Sequence, residues 1–200
     1  MRGIKGVLLG EGRVGKTSLA TCWGSHTFDP HQKSTIQAAT VEKVIDLPNE
    51  KVNFILWDTA GQELYHSIAP IYYKDAKIAI LVYSVTDMKS FDRMVQWHQE
   101  LTSLVGEKML IVIVANKIDL IKDRVIPTMK GVEFALSVGS ELFEVSAKSG
   151  EGVDLLFRYL MQEIPKIIDN PSSKKSNPRG KIQIQVTEES KPSGKNGGCC

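Results

Sequence analysis

Gly10, Gly12, Gly15, Lys16 and Thr17 fall within eight consecutive positions, GEGRVGKT, directly after an apolar run that ends at Leu9. Glycines let a backbone curl so that successive N–H groups face inward as a nest for an anion, and a helix starting there adds the positive end of its dipole. A lysine then supplies a mobile cation, and a threonine hydroxyl supplies a hard oxygen. The spacing G-x-x-x-x-G-K-[ST] between a strand and a helix is that of a loop cradling a nucleotide polyphosphate. Lys16 is the residue expected to reach the β- and γ-phosphates, and Thr17 the one expected to bind Mg²⁺. Gly12, Arg13, Val14, Gly15 and Ser18 complete the expected cradle.

Three further clusters carry compatible chemistry. Asp58 ends the run NFILWD and is followed by Thr59-Ala60-Gly61-Gln62. A carboxylate there can hold Mg²⁺ through water, Gly61 can bring a backbone N–H to a terminal phosphate, and Gln62 is the candidate for orienting an attacking water. Asn116-Lys117-Ile118-Asp119 follows MLIVIVA. The Asp119 carboxylate can accept from guanine N1–H and N2–H₂, whereas adenine offers no donor on that edge and would leave a desolvated charge unpaired. Sites of this kind discriminate on the order of 10⁴-fold. Ser146-Ala147-Lys148 follows LFEV, where the Ala147 N–H can donate to guanine O6. Alone, an Asp-x-x-Gly is a turn and a Ser-Ala-Lys triplet is uninformative. Their weight comes from standing at strand ends together with the glycine loop.

The elements that must position these groups are legible as apolar runs. Strands are expected over Ile4–Leu9, Val41–Leu47, Val52–Trp57, Ile78–Tyr83, Met109–Ala115 and Leu142–Val145. Several are apolar at consecutive positions, as in strands covered on both faces. Helical patterns occupy Lys16–Trp23, Ser67–Lys74, Ser90–Val105, Thr128–Val138 and Val153–Ile168. In the third of these, Phe91, Met94, Trp97, Leu101 and Leu104 recur at steps of three and four, one apolar helix face. Pro48-Asn49-Glu50 joins strands two and three tightly, so that pair is expected to be antiparallel. The expected fold is α/β: a six-stranded, mostly parallel sheet with helices on both faces. In such sheets ligands bind outside the carboxyl ends of the strands, where all four clusters stand.

Two hundred residues with 42% hydrophobic composition suit one core. No apolar run approaches the roughly 20 residues that span a bilayer. The start Met-Arg-Gly shows neither a signal peptide nor the second-position glycine of myristoylation, and synthesis in the cytosol is expected. The three cysteines, Cys22, Cys199 and Cys200, make no disulfide framework, and a net charge of +2 does not suggest a nucleic-acid partner. The chain divides near Ile168 into a domain of residues 1–168 and a tail of residues 169–200. In the tail Lys174, Lys175, Arg179, Lys181, Lys191 and Lys195 face only Asp169, Glu188 and Glu189, a net +3 in a Ser-, Pro-, Asn- and Gly-rich setting typical of a flexible linker.

With these motifs in view, the sequence resembles the Rab family of Ras-superfamily small GTPases over residues 4–168 and the last two cysteines. ILWDTAGQE, PIYYKDA at 70–76 and LVYSVTD at 81–87 carry the likeness, and EGRVGKTSL, TIQA at 35–38 and YHSIAPIYY at 65–73 are most similar to its endosomal branch. The resemblance implies a GTP hydrolase with Mg²⁺ as cofactor and GTP and GDP as substrate and product, slow alone and stimulated by an activating protein. By the same resemblance, Thr35 joins the Mg²⁺ shell when the γ-phosphate is present, Phe28 lies against the guanine ring, and Trp57 and Tyr72 belong to an effector-binding aromatic cluster. For Trp57, ordinary packing is an equal alternative.

The implied partners are an exchange factor, a GTPase-activating protein, effectors, an escort protein and a GDP-dissociation inhibitor, with the protein itself monomeric. A Ras-type signalling GTPase and a GTP-binding module without turnover are the alternatives. Three positions depart from the Rab pattern: Thr40 stands where Phe is usual, Leu64 where Arg follows Gln-Glu, and Arg13 at a variable loop position.

The terminal Gly197-Gly198-Cys199-Cys200 resembles a double geranylgeranylation signal. One lipid chain attaches marginally and two attach stably, which gives the pair a physical reason. The implied location is the cytoplasmic face of an intracellular, endosomal membrane, with a carrier-bound cytosolic pool. Ile182-Gln183-Ile184-Gln185-Val186 alternates apolar and polar residues, as does a strand that adds to a groove. A locally extended, unpaired segment is the alternative.

Overall fold

The computed structural model describes residues 1–35, 38–47, 50–59, 74–105 and 109–169. Six strands form one sheet: β1 (Arg2–Leu9), β2 (Ala39–Asp46), β3 (Lys51–Asp58), β4 (Ile78–Ser84), β5 (Leu110–Asn116) and β6 (Glu141–Val145). Their order is β2-β3-β1-β4-β5-β6, and every neighbouring pair is parallel except β2 with β3. The antiparallel pair and the mostly parallel sheet are as expected. The helices among the described residues are α1 (Lys16–Ser25), α2 (Met88–Val105), α3 (Thr128–Val138) and α4 (Val153–Asp169). The expected helix over 67–74 and the turn at Pro48-Asn49 lie outside the described residues, apart from Lys74 and Glu50.

Consecutive apolar residues in the central strands have a structural cause. Every residue of β4 is buried, because helices cover the sheet on both sides. On one face, Leu8, Phe54, Leu56, Ile80 and Val114 pack with Leu19 and Trp23 of α1 and Leu156, Phe157 and Leu160 of α4. The Trp23 and Phe157 rings stack there, with centroids 4.2 Å apart. On the other face, Val7, Ala79, Leu81 and Ile113 meet Phe91, Met94 and Leu101 of α2 and Ala135 of α3. The expected apolar face of α2 is shorter than its sequence pattern: Leu104 is 62% exposed, so the stripe stops contributing after Leu101.

Two glycines fix the entry to the loop after β1. At Gly10, φ is +147°, and a Cβ would come within 2.2 Å of the Val82 carbonyl oxygen. At Gly15, φ is +95°, and a Cβ would stand 2.5 Å from Asn116 Nδ2. Both the left-handed backbone and the close approach exclude a side chain at these positions. The chain therefore leaves β1, turns against the neighbouring strands and enters α1 directly.

Candidate functional site

β1, β3, β5 and β6 end on one rim, and around it opens a cavity of about 380 Å³. Gly12, Arg13, Gly15, Lys16, Thr17 and Ser18 line its floor; Asn116, Lys117, Asp119, Ala147 and Lys148 line the far wall; Phe28 and Thr35 line the near wall. The cavity is thus built from the segments whose residue types suggested it. Val14 and Ser146, expected as contacts, stand behind the lining: Val14 is 1% exposed and Ser146 fully buried. Gly61 and Gln62 lie outside the described residues, as do Leu64, Tyr72, Cys199, Cys200 and the Ile182–Val186 segment.

On the floor, α1 follows its N-cap Gly15 with no side-chain cap and no acidic residue in its first turn. Its first N–H groups, which a helix cannot pair internally, open on the cavity with the positive dipole end behind them. Lys16 is buried and folds back over the loop: its Nζ donates to the Gly10 carbonyl at 2.8 Å and the Glu11 carbonyl at 3.0 Å. Burial lowers its pKa to about 8, opposed by the charges of Asp58 and Glu11. An ammonium has three donors, so one remains for a phosphate oxygen. Glu11 accepts from the Gly12 N–H at 2.9 Å, which tightens the turn.

Beside the lysine three oxygens converge. The Thr17 hydroxyl donates to Asp58 Oδ2 at 2.6 Å and lies 2.5 Å from Thr35 Oγ1. Thr17 has one hydrogen to give, so Thr35 is the donor in the second contact. The other Asp58 oxygen, Oδ1, is buried without a hydrogen-bond partner, and burial is the main cause of a raised carboxyl pKa. An orphaned buried carboxylate oxygen beside two hydroxyls suits a hard divalent cation, whose preferred ligands are all oxygen. Thr59 anchors the end of β3 here, its hydroxyl donating to the Leu8 carbonyl at 2.7 Å.

At the far wall Asn116 is the junction. Its Nδ2 donates to the Val14 carbonyl at 2.8 Å, and its Oδ1 accepts from the Lys117 N–H at 2.8 Å and the Ala147 N–H at 3.1 Å. The Ala147 N–H, expected at guanine O6, donates to Asn116 Oδ1 in this arrangement, and Ala147 and Lys148 both line the cavity. Lys117 adopts φ +70° and reaches back to the Arg13 carbonyl at 2.7 Å, itself at φ +63°. Desolvation lowers the Lys117 pKa against the attraction of Asp87 and Asp119. Asp119 Oδ1 accepts from the Ser146 hydroxyl at 2.7 Å, which leaves its other oxygen for a base edge. Phe28, 38% exposed, offers an apolar face to the same end of the cavity.

Asp29, Pro30, Gln32, Lys33 and Ser34, which no motif marks in the sequence, also line the cavity. They form an irregular segment without periodicity; Asp29-Pro30 was its available turn signal, and Asp29 accepts from the His31 N–H at 2.8 Å. Trp57 is half-buried with Lys5 Nζ 4.6 Å from its ring centroid, and it pairs in register with exposed Thr40.

Comparison with known proteins agrees with this geometry. The model of the Ras family matches residues 5–166. The chain is similar to Ras-related protein Rab-21 of Homo sapiens, 39% identical over 204 residues covering 98% of this chain and 90% of that protein. Rab-21 of Dictyostelium discoideum is 34% identical over 205 residues, covering 100% and 97%. Rab-5A of the same organism is 36% identical over 197 residues, covering 98% and 95%. A chain that matches Rab proteins from end to end, with a cavity of this construction, belongs to the Ras family and within it to the Rabs.

Proposed function

We propose that this chain is a Rab-type switch that binds GTP with Mg²⁺, hydrolyses it slowly, and recruits effectors in endosomal vesicle traffic while GTP is bound. The observation that carries the reading is the joint placement of Lys16 and Asp119 on one cavity, a phosphate cation at one end and a guanine-selective carboxylate at the other. The third Lys16 donor and the open N–H groups of α1 hold the polyphosphate, Asp119 accepts from the base, and Phe28 covers it. Thr17, Asp58 and Thr35 are the residues that would hold Mg²⁺, which neutralises charge on the phosphate oxygens when bound. Thr35 touches Thr17 across the site, so a terminal phosphate can hold its loop and hydrolysis can release it. Gln62 is assigned to orienting the attacking water.

Stimulation by an activating protein, renewal by an exchange factor and extraction by a GDP-dissociation inhibitor after escort-assisted lipidation of Cys199 and Cys200 belong to the same proposal. The Rab relatives do not favour a Ras-type signalling role. Single-turnover phosphate release tests the core of the reading: GTP should be hydrolysed and ATP neither bound nor cleaved, with Gln62→Leu slower than wild type. Bound GTP that is never turned over, even with cell extract as a source of activator, would make the chain a binding module instead.

A further inference from the structure

Arg124, Thr128 and Glu144, none of which lines the cavity, form a charged cluster next in sequence to its guanine-reading segments. Arg124 Nη1 donates to Glu144 Oε1 at 2.9 Å, Thr128 Oγ1 at 3.0 Å and the Ile126 carbonyl at 3.3 Å, sharing its two hydrogens among three acceptors. The Thr128 hydroxyl donates in turn to the same Glu144 oxygen at 2.9 Å. The two charged side chains are 23% and 26% exposed, which separates them from the freely solvated pairs of low worth such as Lys51–Asp46 at 67% and 73%. Beneath them lies the buried Tyr83, whose phenol feels both charges. Its hydroxyl has room only because residue 131 is glycine; a Cβ there would come within 2.4 Å. Such enclosure holds the pair in one arrangement.

The cluster closes a ring with the guanine-reading residues. Arg124 stands five positions after Asp119, across a single 3₁₀ turn at Ile121–Asp123, and Glu144 stands two positions before Ser146. The two arms meet again where the Ser146 hydroxyl donates to Asp119 Oδ1 at 2.7 Å, and the Ile118 N–H donates to the Val145 carbonyl at 3.2 Å. One side-chain bond at each end therefore spans the gap between the loop after β5 and the end of β6. We propose that Arg124 is a positioning residue for guanine recognition: through Glu144 it sets the separation of the two loops, and so the aim of the Asp119 carboxylate.

The inference rests on the reading of Asp119 as the guanine acceptor, and the experiment separates the two. Dissociation of fluorescent GDP and of fluorescent IDP, which lacks the N2 amine, is timed for the full chain and for Arg124→Ala, Arg124→Lys, Glu144→Gln and Ser146→Ala. Arg124→Ala should release GDP about tenfold faster, the equivalent of one weakened bond to a charged group, and IDP by a smaller factor, because inosine keeps the N1–H donor to Asp119 but has no N2 amine to lose, so the GDP-over-IDP preference shrinks. Arg124→Lys should fall between, since an ammonium cannot present the guanidinium fork. Ser146→Ala should shrink the same preference, and combined with Arg124→Ala it should add less than the product of the two.

Should Arg124→Ala fail to fold, Glu144→Gln, which keeps an acceptor and removes the charge, must show the same sign of change. A purely structural ion pair would lower the melting temperature and speed both nucleotides equally; an unchanged GDP-to-IDP ratio overturns the inference. Wild-type protein that does not prefer GDP to ADP would remove the guanine reading itself, and this inference with it.

Discussion

Asn116 Nδ2 donates to the Val14 carbonyl at 2.8 Å, across 102 positions of sequence, and so ties the glycine loop after β1 to the loop after β5 that carries Asp119. The same side chain accepts from two backbone N–H groups, so a single amide fixes three segments. Asn116→Ala should leave the fold intact and release GDP roughly 100-fold faster, since two or more net hydrogen bonds of about 1 kcal/mol each are lost. Displacement of fluorescent GDP measures it. A rate within threefold of wild type would show that the junction is not limiting.

Gly15→Ala should act on the same junction from the other side. The added methyl meets Asn116 Nδ2 and forces a left-handed backbone on alanine, a strain on the order of 1–2 kcal/mol before any clash. GDP affinity should fall by more than tenfold, read by calorimetry. Circular dichroism should still report the wild-type helix content.

Asp58 gives a prediction about metal. A chelator should accelerate GDP release from the wild-type protein, because the orphaned Oδ1 and its hydroxyl neighbours form the proposed cation seat. Asp58→Asn should release GDP quickly with or without chelator. In nucleotide-free form its melting temperature should match or exceed wild type, since a buried, incompletely paired carboxylate has been replaced by a neutral group. A chelator response that survives in Asp58→Asn would place the metal elsewhere.

Lys16 sets a pH dependence. Burial brings its pKa to about 8 in the folded chain, below the ordinary lysine value of 10.5, so between those values the unfolded chain binds more protons. Its contribution to stability without nucleotide therefore rises as pH climbs from about 8 towards 10.5. A bound polyphosphate favours the ammonium, so binding takes up a proton above pH 8 and GDP affinity falls there. Calorimetry at pH 8.5 in two buffers of different ionisation enthalpy should show that uptake, and Lys16→Met should abolish it.

Trp23 tests the core apart from the site. Its stack on Phe157 joins α1 to α4 beneath the sheet. Trp23→Ala should cost about 3–5 kcal/mol in urea unfolding. The GDP-to-IDP dissociation ratio should stay at the wild-type value, because no bond in the base-reading ring passes through this ring system.

The residue types in GEGRVGKT, Asp58, NKID and SAK mark the candidates for a phosphate cradle, a metal ligand and a guanine acceptor, because each chemistry demands those side chains at strand ends. Apolar patterning announced the strands and the four helices among the described residues to within a few residues, since burial on one or two faces leaves its mark on neighbouring positions. It overstated α2 at Leu104, where the local pattern continues but burial does not. Contacts between distant segments were beyond it. That the Ala147 N–H is held by Asn116, that Asp58 keeps an unpartnered oxygen, and that Arg124 reaches Glu144 depend on pairings 31, 41 and 20 positions apart or on burial from several elements at once. Chemical identity is a property of a residue and can be read along the chain; partnership and burial are properties of the packed whole, and only the folded arrangement decides them.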